Sequence, residues 1–157
     1  VSKPRGFTLI ELMMTLAIMA VLAMVSIPLA QTALQRAKEQ ELRRSLIQVR
    51  DAIDTYKKAA DQGRIELKIG DTGYPHGLRE LVDGVRDMKS PDGRKLYFLR
   101  AVPRDPLSAD PDVAPEASWG LRSYASSADD PRPGPDVYDV YSLATGKGLN
   151  GVPYRQW

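Results

Sequence analysis

Glu11 is the residue of this sequence with the most chemistry to account for. It follows Arg5-Gly6-Phe7-Thr8-Leu9-Ile10 and stands at the mouth of a long apolar run. From Leu12 to Ala30 there are 19 residues without a charged side chain, interrupted only by Thr15, Ser26 and Pro28. At about 1.5 Å per residue the run approaches the thickness of a bilayer's hydrocarbon core, so it predicts a membrane-spanning helix. A carboxylate at that end of an apolar helix costs up to a few kcal/mol unless something neutralises it, which makes Glu11 a candidate functional residue. Other chemistry is sparse. The single histidine, His76, lies in a stretch flanked by Pro75 and Gly77, and there is no cysteine nucleophile. No Gly-x-Ser-x-Gly or phosphate-cradling glycine motif occurs, so the residues argue against an enzyme.

The elements that must position Glu11 follow from length and periodicity. The 157 residues allow the helix plus one small domain, and without cysteine that domain has no disulfide. Residues 31–61 contain neither proline nor glycine. Leu42, Leu46, Val49, Ile53, Tyr56 and Ala60 recur at spacings of four and three, so the helix is expected to continue with this stripe as its core face. The opposite face carries Arg36, Lys38, Glu39, Glu41, Arg43, Arg44, Arg50, Asp51, Asp54, Lys57 and Lys58, and its mixed signs predict a solvated surface. Pro28 removes one backbone hydrogen bond, so a kink or local unwinding is expected near residues 24–28.

Gly63 is the predicted stop of the long helix, and residues 64–76 read as a loop. Residues 77–85 suit a short second helix. Ser90-Pro91-Asp92-Gly93 and Pro103-Arg104-Asp105-Pro106 are turns. Extended segments are expected at 96–99, 119–125 and 137–142, the last alternating with period two. There is no internal repeat.

Residues 5–11 with the apolar run behind them resemble the prepilin signature shared by type IV pilins and type II secretion pseudopilins. The resemblance implies cleavage between Gly6 and Phe7 by a dedicated prepilin peptidase, N-methylation of Phe7, and Lys3 and Arg5 left on the cytoplasmic side, as the positive-inside rule requires. It also implies a partner for Glu11, the Phe7 amine of a neighbouring subunit, a pairing that selects one docking register over others. At Pro28 it implies a segment that melts when subunits pack. Loss of residues 1–6 removes Lys3 and Arg5 and no acid, leaving 20 basic and 20 acidic side chains, so the formal charge of +2 belongs to the leader. A nucleic-acid partner, which would need a retained basic face, is not indicated. A secretory signal peptide would have a shorter apolar run and a small residue where Pro28 stands. A plain signal anchor would leave Glu11 without a role.

The second half resembles the major (G-type) pseudopilin family of type II secretion more than the pilins. Tyr74-Pro75, the Leu78–Val82 segment, Pro103 to Pro106, Asp139-Val140-Tyr141-Ser142 and the terminal Trp157 carry that likeness. It implies an α+β, type IV pilin-like fold, a long N-terminal helix packed on a small antiparallel sheet. The implied organisation is a leader at 1–6, a transmembrane and filament-core helix at 7–30, and a periplasmic domain at 31–157. The implied role is a structural subunit, stored in the bacterial inner membrane and extracted into a periplasmic helical homopolymer. Its partners would be other copies of itself, minor pseudopilins, the peptidase and an inner-membrane assembly platform. The alternatives are a major or minor type IV pilus subunit and a membrane-anchored periplasmic domain that never polymerises. The family also implies calcium in the loop after the last strand. Here that loop, 144–151, has no acid and contains Lys147, so the only candidate ligands are Asp129, Asp130, Asp136 and Asp139 nearby. Packing of Tyr154 and Trp157 is the expected means of fixing the tail.

Overall fold

The computed structural model describes residues 6–157; residues 1–5, most of the expected leader, lie outside the described residues. Helix α1 spans Leu9–Asp61, 53 residues. It ends as the sequence predicts. The Gly63 amide bonds Ala60 O at 2.9 Å and the Arg64 amide bonds Ala59 O at 2.9 Å. With Gly63 at φ 66, this is a Schellman stop, which needs the left-handed conformation that glycine adopts without a Cβ clash.

The chain divides into two compact units, Val1–Ala37 and Lys38–Trp157. In the described part of the first, the apolar side chains are exposed throughout, Leu16, Met19 and Leu22 among them. The second has its own core. Every residue of the expected stripe (Leu42, Leu46, Val49, Ile53, Tyr56, Ala60) is buried, together with Ala52 and Ala59 one helical position away. They pack with Ile65, Leu78, Leu81, Leu99, Trp119, Val137, Val140 and Tyr154.

Helix α2, Leu78–Asp83, is shorter than the 77–85 expected from sequence. Gly84, at φ 74, turns the chain out, and Val85–Arg86 becomes strand β1, antiparallel to β2 at Lys95–Leu96. A Cβ at Gly84 would lie 2.8 Å from the Tyr97 ring, so no larger residue fits that turn. Strand β3, Trp119–Arg122, pairs antiparallel with β4, Asp139–Ser142, with Trp119 opposite Ser142 and Arg122 opposite Asp139. The expected sheet is thus two separate two-stranded ribbons. Extended backbone continues just outside β4, where the Val137 amide bonds Pro75 O at 2.7 Å and that of Tyr138 bonds Arg122 O at 2.8 Å. On α1 one residue expected on the solvated face is buried. Glu39 is 7% exposed, and it lies one turn before Leu42 on the buried stripe, not opposite it.

Candidate functional site

Gly6, Phe7 and Thr8 precede the helix. Phe7 is 84% exposed, and a Cβ built on Gly6 meets nothing within 4 Å. Glu11 has a partner in its own chain. Its Oε2 accepts the Thr8 amide at 2.8 Å and the Thr8 hydroxyl at 2.9 Å, while the Glu11 amide donates to Thr8 Oγ1 at 3.4 Å. This is a capping box, in which the N-cap threonine and the glutamate three residues on satisfy each other's backbone. The pattern Thr8-x-x-Glu11 before an apolar run was legible in the sequence and is the signal that was missed.

Along the apolar run each hydroxyl returns to its own helix. Thr15 donates to Leu12 O at 2.9 Å, Ser26 to Leu22 O at 2.8 Å and Thr32 to Pro28 O at 2.9 Å. The helix continues unbroken through Pro28, so residues 24–28 are not unwound in the single subunit. Of the described helices, this is the one long and apolar enough to cross a membrane. Local satisfaction of polar groups is what such a crossing requires.

The family model described as "Prokaryotic N-terminal methylation motif" matches residues 1–27, the segment built around Gly6, Phe7 and Glu11. Over most of its length the chain is also similar to proteins named "Type II secretion system core protein G". One, from Klebsiella michiganensis, is 27% identical over 138 residues, covering 84% of this chain and 88% of that protein. The chain is a pseudopilin-like relative of core protein G. A second relative, from Pectobacterium carotovorum subsp. carotovorum, is 28% identical over 138 residues, 84% of this chain and 80% of that one. A third, from Dickeya chrysanthemi, is 24% identical over 152 residues, 94% and 92% of the two chains. No solved structure matches the chain significantly.

The four aspartates singled out in this pseudopilin-like chain do not converge. Asp136 is buried, and its carboxylate accepts the hydroxyls of Ser123 and Thr72 and, at 3.0 Å, the Tyr124 amide. Burial by itself would raise its pKa, but these donors prevail and hold it below the ordinary aspartate value. Asp139 receives Arg50 Nε at 2.7 Å and Arg122 Nη2 at 3.3 Å. Asp130 pairs with Arg132 at 2.6 Å, and Asp129 is exposed. Among the described residues no three of His, Cys, Asp or Glu gather as a metal site.

Arg50 was assigned to the solvated face, yet it joins the helix to the chain's end. Besides Asp139 it donates from Nη2 to Val140 O at 3.1 Å and to Trp157 O at 2.8 Å. His76 lies in an open cleft between Asp71, at 3.5 Å, and Glu80, at 3.3 Å. Tyr56 reaches Glu80 at 3.4 Å, and burial followed by the Glu80 charge pushes its phenol up to about 12.

Proposed function

We propose that this chain is a structural subunit of a type II secretion pseudopilus. The observation that carries this is the pairing of an exposed apolar helix, headed by Gly6, Phe7 and Glu11, with a domain that buries its own core without a neighbour. In this reading a prepilin peptidase removes residues 1–6 and methylates Phe7. The helix then holds the subunit in the inner membrane with residues 31–157 in the periplasm. Assembly is heterologous, head to tail, which gives an open helix and not a closed ring. Apolar side chains that lie exposed in one subunit become the filament core. The Glu11 carboxylate is already held by Thr8, so pairing with an incoming Phe7 amine exchanges neutral donors for a charged one, which is the stronger bond. Minor pseudopilins and an inner-membrane assembly platform complete the partner set, and the filament helps drive folded proteins across the outer membrane.

The N-terminal motif equally suits a type IV pilus subunit, and one experiment separates the two. In an in-frame deletion strain, loss of a defined set of proteins from the culture supernatant with surface pili intact supports the secretion role. Loss of sheared surface filaments with secretion unchanged moves the protein to the pilus branch.

A further inference from the structure

The loop after β4, residues 144–151, is where the family resemblance implies calcium, and its residues do not fit that ion. Calcium takes about six to eight oxygen ligands, several of them carboxylates. This loop carries no carboxylate and does carry Lys147. Its one side-chain amide oxygen, Asn150 Oδ1, already accepts the Val152 amide at 3.1 Å. Asp136 and Asp139, the buried and half-buried acids nearest in sequence, are held by the hydroxyls and arginines described above.

A side chain of α1 closes the loop instead. Glu39 Oε1 accepts the Leu149 amide at 2.9 Å and the Tyr154 hydroxyl at 2.9 Å. These bonds join residues 110 and 115 positions apart in sequence. The loop is tied internally as well, with the Gly148 amide on Val152 O at 2.9 Å and that of Tyr154 on Gly146 O at 3.2 Å. The Trp157 ring lies against Gly148, where a Cβ would stand 2.3 Å from it, and the Arg43 guanidinium sits 4.5 Å from the ring centroid.

We propose that Glu39 replaces a divalent cation as the cross-link of this loop, so that the fold of the domain is independent of calcium. The polarity is inverted. A cation gathers acceptors around a positive centre, whereas Glu39 gathers donors around a negative one. Lys147 would oppose the first arrangement and is compatible with the second. A carboxylate accepting an amide and a phenol makes two charge-assisted bonds, the stronger kind, and burial shields them from water. Glu39 is a positioning residue: it acts by holding Leu149 and Tyr154. The proposal stands whether or not the chain is a secretion subunit.

The test uses the full chain purified in detergent, its thermal unfolding followed in calcium chloride and in EDTA. The native midpoint is expected to agree between the two within about 1 °C. Glu39→Gln and Tyr154→Phe are each expected to lower it by roughly 3–8 °C. The double variant should fall little below Glu39→Gln alone, because both changes break one linkage. Amide exchange at Leu149 should speed up by about tenfold or more in Glu39→Gln. A native midpoint raised several degrees by calcium and returned by EDTA overturns the proposal. So does unchanged Leu149 exchange in Glu39→Gln. Should Glu39→Gln not fold, Tyr154→Phe keeps the ring and removes only the hydroxyl; a midpoint equal to the native one would then sink the idea.

Discussion

The two units of this chain satisfy their polar groups in opposite ways. Up to Ala37, the side-chain bonds described above span three or four residues: Thr8 with Glu11, Thr15 with Leu12, Ser26 with Leu22, Thr32 with Pro28. From Lys38 onward the telling bonds span most of the chain: Arg50 to Asp139, Arg50 to Trp157, Glu39 to Leu149 and Tyr154. A helix destined for lipid has no water and no neighbouring element to supply partners, so it must close its polar groups on itself. A small domain without disulfides gains more by tying distant segments together, since each such link restricts a long loop. The same α-helix serves both schemes, and the change occurs between Thr32 and Glu39.

Substitution at Gly6 breaks the first region most completely. Gly6→Ala is expected to abolish processing and leave the precursor mass unchanged by mass spectrometry. Because a Cβ there meets nothing within 4 Å, the failure would lie in peptidase recognition and not in folding. Next comes Glu11→Ala, with normal cleavage, loss of filament assembly by about tenfold or more, and no shift in domain unfolding. Intact filaments would refute the charge pairing.

Two changes probe the second region. Ile53→Ala, at a site 1% exposed, should cost about 2–5 kcal/mol in denaturant unfolding while leaving processing untouched. Arg50→Met leaves Asp139, Val140 O and Trp157 O short of a donor and should cost about 1–3 kcal/mol by the same measurement. An effect of Arg50→Met on cleavage, or of Gly6→Ala on unfolding, would blur the contrast between the regions.

The smallest effect is a pH dependence. Asp136 has a folded pKa below its ordinary value, so its stabilising contribution is complete above the unfolded aspartate pKa, about 4. That contribution is lost as pH falls through the lower folded value. The unfolding free energies of native protein and Asp136→Asn should therefore differ by a steady amount above about pH 4 and converge over the range from there down through the folded pKa. A constant separation across that range would place the carboxylate's role elsewhere.

Regular spacing is what made much of the molecule legible. The apolar run, the buried stripe from Leu42 to Ala60 and the Gly63 stop are all short-range patterns that read the same in any context. Thr8 and Glu11 are equally local, since a capping box needs only a threonine three residues before a glutamate at the head of a helix. Other features had no local signature. Nothing around Glu39 distinguishes a buried glutamate from its exposed neighbours Gln40 and Glu41 except its phase on the stripe. The stop of α2 at Asp83 depended on Gly84 adopting a positive φ beside Tyr97.

By itself, the sequence determined the long helix, its exposed apolar half and the residues placed at its head, because these rest on interactions within one helical turn. Only the tertiary structure decided which charges are structural. Glu39, Arg50, Asp136 and Asp139 acquire their partners from segments up to 115 positions away. A buried charge is tolerated only where the fold brings donors to it, and that convergence is a property of packing, not of spacing.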